Sequence, residues 1–372
     1  MHVGLNLVFL VPGEAGGMET YARRLIPALV AAAPEHRFTA FLSREAAASD
    51  GPWRELTGSV LVPVDSRDRV QWVRGEQQLL PGLGRRAGVE LMHSLASTAP
   101  AWGRFRRVVT IHDLIYRTIP EAHPGLRALG MRGLVPLGAW RADRVITDSQ
   151  ATAADLRHYL HLPAERIDVV PLGIGAERMT PLSEPEIRAQ LDAGDRPILL
   201  TVSAKLAHKN LRRLIEALAA IPAPERPLLV MPGYPTPHEA ELRGHAAAHG
   251  VADDVRLLGW ISAAGLEGLY AAAAAFVFPT LAEGFGLPVL EAMARGVPVT
   301  CSDIPVLREV AGEGALYFDP HAVASIAGAV TRLLREPALV ARLRSAGPAR
   351  AERFSWEATA EGTLAAYRRT LA

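Results

Sequence analysis

The sequence predicts an α/β protein made of two doubly wound parallel-sheet domains. Three observations predict it. Short apolar runs alternate with longer segments of helical spacing, as parallel strands do with their crossover helices. The pattern halts after Gly175 in a charged stretch carrying Pro181, Pro185 and Pro197, then restarts with the apolar run Ile198–Val202. Gly-rich or charged turns follow the apolar runs, at the edge where such sheets bind ligands. The 372 residues suit two domains better than one, and 49% are hydrophobic, enough for two cores. The expected limits are 1–178 and 179–355.

Composition excludes several classes. A formal net charge of +1 argues against a nucleic-acid binder that works by phosphate neutralisation. A single cysteine, Cys301, rules out an intrachain disulfide framework. The opening MHVGLNLVFLVPGEAGG lacks a basic leader region and reads as a first strand. The longest apolar candidate, Leu269–Pro279, is too short to cross a bilayer, so the expectation is a soluble, cytoplasmic protein. No HExxH, GxSxG, Walker A or Cys/His cluster occurs.

In the first half, Val3–Val11 is a strand, followed by Pro12–Gly17 and a helix from about Met18. Gly16 and Gly17 lie in this first strand–helix turn, which is not a GxGxxG dinucleotide fingerprint. Phe38–Leu42, Val60–Val64 and Val89–His93 are further strands. Arg107–Ile111 is another, ending in His112-Asp113, which puts both side chains at the carboxyl edge; Asp113 is the candidate to orient the imidazole. Leu126–Arg144 carries Arg127, Arg132, Arg141 and Arg144 among apolar residues. It reads as a solvated helix face, with peripheral contact to anionic lipid as the alternative. Val145–Thr147 is a strand, and Asp148-Ser149 reads as a helix cap.

In the second half, Ser203–Asn210 follows the first strand. Of the 40 Lys and Arg residues only Lys205 and Lys209 are lysine, and both fall in this turn beside Asn210. A compact ammonium is thus placed where a flat guanidinium does not fit. Leu228–Met231 and Val255–Leu258 are strands, the latter ending in Gly259-Trp260-Ile261, with a helix over Ala263–Ala274. Phe276–Phe278 leads into Thr280–Glu291, which holds Gly284 and Gly286 around Phe285. Leu287-Pro288 opens a brief helix stopped by Gly296 and Pro298. A helix N-terminus after a glycine loop attracts an anion. Glu283 and Glu291, the latter expected in the first helical turn, flank it and suit hydroxyl groups better than phosphate. Phosphate between two hydroxyl-bearing groups describes a nucleotide-sugar.

The string EGFGLPVLE, Glu283–Glu291, with the flanking ARGVPVTCSDIPVLREVAGEGALYFDP, resembles the E-x7-E signature of family-four retaining glycosyltransferases of GT-B fold. GGMETYARRL, VVTIHDLIY and the HKN string resemble the same family, so the likeness runs over almost the whole chain. It implies two Rossmann-like domains facing across a cleft, with the 356–372 helix returning to the first domain. It implies transfer of a hexose, best matched by mannose from GDP-mannose, to a saccharide or lipid-linked acceptor. It further implies retention of configuration and no cofactor or metal; the metal-binding DxD pair of the other glycosyltransferase fold is absent. By resemblance, Lys209 takes the donor diphosphate, with Lys205 as a second charge, and Ser203 lies in the same loop. Gly16 and Gly17 approach donor phosphate or acceptor, and Gly259, Trp260 and Ile261 meet the base. Glu283 takes the donor sugar, Gly284–Leu287 the diphosphate, and Glu291 the ribose. His112 and Asp113 stand on the acceptor side, with His112, Glu283 and Lys209 as the catalytic set. The competing readings are a UDP-sugar transferase of the same fold and a non-catalytic nucleotide-sugar-binding regulator.

Overall fold

The structure, a computed structural model, describes residues 1–119, 126–175, 179–234 and 236–372. The side chain of Arg127, in the basic stretch noted above, lies outside the described residues. The chain forms two compact units, Met1–Gly173 with Phe354–Ala372, and Ile174–Arg353.

Unit 1 contains seven parallel strands: β1 (His2–Leu7), β2 (Arg37–Leu42), β3 (Gly58–Leu61), β4 (Leu91–Ser94), β5 (Arg106–Thr110), β6 (Arg144–Thr147) and β7 (Ile167–Val169). Their order is β3-β2-β1-β4-β5-β6-β7. β1 and β2 are buried for nearly their whole length, as expected of strands covered on both faces. The expected first strand is shorter than its apolar run. It stops at Leu7, and Leu10 N–H turns back to Leu7 O at 3.0 Å while Val8 and Leu10 stay buried. Burial here needs no strand, because the turn satisfies its own backbone.

Unit 2 contains β8 (Ile198–Leu200), β9 (Leu228–Met231), β10 (Val255–Leu257), β11 (Ala273–Phe278), β12 (Val299–Ser302) and β13 (Ala315–Phe318). All pair in parallel, in the order β10-β9-β8-β11-β12-β13. The alanine run Ala271–Ala275 departs from the helix expected over Ala263–Ala274. The helix Ala263–Ala272 ends inside it, and Ala273 already pairs with Ile198 in β11. A central strand position overrides alanine's preference for helix.

In both sheets the strand order reverses beside the first strand, between β1 and β4 and between β8 and β11. Turns at the carboxyl ends of such strand pairs are the ligand-binding crevice of an open α/β sheet.

The chain's last helix, Trp356–Leu371, is capped by Ser355 Oγ, which accepts from Ala358 N–H at 3.1 Å. It packs against the helix Gly17–Ala32 and buries Trp356, Ala360, Leu364 and Tyr367. Each such side chain stabilises by about 1.5–3 kcal/mol when large and apolar, so the helix carries a sizeable share of a stability of about 5–15 kcal/mol. Tyr367 Oη lies 2.7 Å from the buried His93 Nδ1, whose Nε2 lies 2.8 Å from Thr110 Oγ1. Burial, with the neighbouring His112 charge, drives the His93 pKa down to about 3, so this imidazole is neutral. Among the described residues no helix is long and apolar enough to cross a membrane.

Candidate active site

The unit 2 crevice is built from the turns after β8 and β11. Asn210 adopts a left-handed conformation (φ 59°) and closes the first turn. Its buried Nδ2 donates to Pro279 O (3.0 Å) and Pro320 O (2.8 Å), which bolts this turn to the end of β11. The bolt brings the neighbouring Lys209 onto Glu283: Lys209 Nζ donates to Glu283 Oε1. The ammonium also sits 5.5 Å from the centroid of the Phe278 ring. Both partners keep a little solvent contact, 15% and 11% of their side chains. A lysine has three N–H donors, so two remain for a ligand.

The loop then turns into the helix Leu287–Ala294 through Gly286, at φ +103°. A side chain there is strained, and a Cβ would lie 2.7 Å from Leu307 Cδ2. Gly284 and Phe285 are buried in the same loop. The helix begins at Leu287, with Pro288 in its first turn, where the missing N–H costs nothing. The structure corrects the position of Glu291. It is the fifth helical residue, past the first turn, and its Oε2 accepts from Tyr270 Oη at 3.2 Å. It is held over the preceding helix, leaving the Leu287 end of its own helix without a carboxylate in the first turn.

Lys205 occupies a different place from the one the sequence offers. Its side chain is fully buried, and Nζ donates to Gly233 O (3.1 Å) and Leu258 O (2.5 Å), with Glu239 Oε2 at 3.5 Å. Burial lowers its pKa, and Glu239 opposes that shift. The ammonium thus ties the turn after β9 to the turn after β10. The β9 turn also presses on Ser203: a Cβ on Gly233 (φ +152°) would fall 1.9 Å from Ser203 O. Ser203 N–H reaches Pro232 O at 3.3 Å, and Gly233 N–H reaches Gly259 O at 3.3 Å. Gly259 and Trp260 are exposed, Trp260 at 74%, and Ile261 is half-buried. Lys205 therefore sets the loop that carries these three residues.

In unit 1, Gly16 caps the helix Gly17–Ala32, and both glycines are exposed. His112 follows β5. Its Nδ1 lies 2.7 Å from Asp148 Oδ2 and its Nε2 3.0 Å from Leu95 O. The Leu95 carbonyl only accepts, so Nε2 carries a proton. Burial opposes a charged imidazole, but the Asp148 carboxylate and the Leu95 bond outweigh it and raise the His112 pKa above its ordinary value. Asp148 is itself raised, by burial first. Tyr21 packs edge-on against the ring at 4.8 Å between centroids.

Asp113 does not orient this imidazole. Its Oδ1 accepts from Ile115 N–H at 2.9 Å and turns the backbone locally. The orienting carboxylate is Asp148, read from the sequence as half of a helix cap. Ser149 caps that helix, its Oγ accepting from Thr152 N–H at 3.1 Å. Asp148 follows β6, the neighbour of β5, so a prediction of strand order would have found the pair. Sequence reasoning also missed Glu76. It is buried under Asn6 Nδ2 (2.9 Å), Thr98 Oγ1 (3.0 Å) and Gln77 Nε2 (3.2 Å), and burial raises its pKa to about 7.

At the β1/β4 reversal lies a cavity of about 420 Å³. Phe9, Met18, Ser66, Trp72, Thr98 and Asp113 are among the residues that line it. It offers hydroxyls, two carboxylates (Glu14 and Asp113) and an aromatic face, the groups that bind sugars.

Comparisons with known proteins bear on the family and the fold. Residues 15–178 match the family described as Glycosyltransferase Family 4, and residues 183–350 match Glycosyl transferases group 1. The chain is 31% identical over 269 residues to O-antigen chain mannosyltransferase B of Escherichia coli, covering 71% of this chain and 70% of that protein. It is 30% identical over 370 residues to D-inositol 3-phosphate glycosyltransferase of Acidothermus cellulolyticus, covering 96% and 75%. A sucrose-phosphate synthase of Thermosynechococcus elongatus superposes with a TM-score of 0.81 over 100% of this chain and 99% of that one, at 24% identity. The matched halves, the identities and the two reversed parallel sheets together make this chain a member of the group 1/family 4 glycosyltransferases, a transferase of GT-B fold.

Proposed function

We propose that the chain is a retaining hexosyltransferase that moves mannose from GDP-mannose onto a saccharide or lipid-linked saccharide, with no metal ion in the reaction. The observation that carries this reading is the Lys209–Glu283 pair at the β8/β11 reversal, bolted by Asn210 and followed at once by a helix N-terminus. A cation and a dipole end beside one carboxylate suit a diphosphate next to a hydroxyl-rich sugar.

In this reading unit 2 holds the donor. Lys209 and the Gly284–Leu287 backbone take charge on the diphosphate as it departs. Glu283 accepts hydrogen bonds from the hexose and Glu291 from the ribose, while Gly259–Ile261 meet the base. Unit 1 receives the acceptor in its cavity, with Asp113 on the wall and His112 on the acceptor side, its Nε2–H exchanging the Leu95 carbonyl for an acceptor oxygen. The bond from sugar C1 to the diphosphate oxygen breaks, and the acceptor oxygen bonds to C1 from the same face. The acceptor proton leaves on the departing phosphate oxygen, so no protein nucleophile is used. Mannose is favoured by the HKN and VTIHDLIY strings and by the likeness to an O-antigen mannosyltransferase. The basic helix Leu126–Arg141 with its exposed Trp140 gives a lipid-linked acceptor a surface to approach.

The test is a panel of GDP-, UDP-, ADP- and TDP-hexoses. GDP-mannose should give the largest thermal shift and slow release of sugar without acceptor, undiminished by a chelator. Nuclear magnetic resonance of the product should show the donor's anomeric configuration kept. Release from a UDP-sugar instead would move the donor assignment, and binding without any release would leave a non-catalytic protein.

A further inference from the structure

In unit 2 the helices Leu211–Ala220 and His238–Ala248 lie side by side. Three side chains with metal-ligand chemistry meet across the seam: Glu216 from the first helix, His245 from the second, and His249 at its end. Their ligating atoms all lie within 4.8 Å of one another. His245 and His249 are one turn apart, so they share a face, and their rings stand 4.3 Å apart between centroids. His245 Nε2 is already 2.9 Å from Glu216 Oε1. His249 Nδ1 donates to His245 O at 2.9 Å, which leaves its Nε2 with the lone pair. A backbone carbonyl that fixes the far nitrogen of a histidine is the usual support behind a metal ligand.

We propose that Glu216, His245 and His249 form a site for a divalent transition-metal ion, Zn²⁺ in preference to Mg²⁺ or Ca²⁺. Two imidazole nitrogens and one carboxylate suit zinc, whereas the hard cations call for oxygen ligands. Zinc bonds of about 2.0–2.2 Å put tetrahedral ligands roughly 3.3 Å apart. Side-chain rotations of about 1 Å therefore close the set and leave a fourth position for water. The ion replaces the proton shared by His245 and Glu216. Arg212 pairs with Glu241 across the same seam, so its positive charge is already answered. The first helix leaves directly from the Lys209–Asn210 turn, so the ion staples the element that follows the donor loop. The site stands whether or not the donor is GDP-mannose.

The test uses the whole chain, freed of metal with a chelator that is then removed, and titrated calorimetrically with ZnCl₂. One saturable equivalent and a rise of about 5 °C in the thermal midpoint are expected, with no change on adding MgCl₂. His249→Ala and Glu216→Gln should each weaken zinc binding at least tenfold. Glu283→Gln should leave it unaltered. His249 is exposed at a helix end, so its variant tests the site even if His245→Ala fails to fold. Absence of a saturable equivalent would overturn the proposal. So would equal binding by His249→Ala and Glu216→Gln, which would move the zinc to other histidines among the chain's 12.

Discussion

The two units hold their charged pairs differently. In unit 2, Lys209 and Glu283 come from turns that flank the β8/β11 reversal, and both touch solvent. In unit 1, His112 and Asp148 come from the ends of β5 and β6, one strand beyond the reversal, and only 3% of the Asp148 side chain is exposed. The first pair can trade its mutual bond for a ligand. The second is sealed from below and can only aim one imidazole. An exchangeable pair belongs where a substrate's charge changes, and a fixed pair where geometry must stay constant.

Four experiments break or sharpen this comparison. The largest effect is expected for Glu283→Gln. Turnover should fall by about 10²–10³-fold while nucleotide affinity changes only a few-fold, because under the proposed function the lost bond goes to the sugar of the transition state. Equal losses in both would make Glu283 a mere anchor for Lys209.

Next, Asp148→Asn should lower turnover by about 10–100-fold and displace the pH profile. A histidine whose folded pKa is raised keeps its proton below its ordinary value and loses it only as pH climbs through the higher folded value. Without the Asp148 charge, the alkaline decline should begin at lower pH. An unmoved profile would make Asp148 a packing residue.

Lys205→Met should cost about 1–3 kcal/mol in chemical denaturation, since it strands two loop carbonyls and leaves Glu239 with Arg243 alone of its two cationic partners, and should raise the donor KM through the Gly259–Ile261 loop. Full stability in this variant would refute the latch.

The fourth experiment reads a pH slope of stability and concerns Glu76. With a folded pKa of about 7 against an ordinary 4.5, the folded state binds more protons than the unfolded one between those values. Stability should therefore fall by up to about 3 kcal/mol as pH rises from 4.5 to 7. Glu76→Gln should flatten that slope, as read by denaturation at both ends.

Much of this was legible before any coordinates. Two sheets, the restart after the proline-bearing stretch, and the two separate turns that carry Lys209–Asn210 and Glu283–Gly286 all rest on local spacing and turn chemistry. The partners that depend on strand order were not. Asp148 lies 36 residues from His112, and nothing in the sequence states that their strands are neighbours. Lys205 misled for a related reason: a lysine in a ligand-side turn looks available until the carbonyls of two later turns close over it. The alanine run failed at the helix–strand border, where pairing with β8 decided and propensity did not.

The return of the Trp356–Leu371 helix makes unit 2 an insertion within unit 1. The ribosome therefore delivers the whole sheet of unit 1 first, then all of unit 2, and only then the helix that covers His93. At about 5–20 residues per second, unit 1 waits on the order of 10–40 s with an apolar face uncovered. Unit 2 is complete before its host is, so the part of the chain made first is the last to close its core.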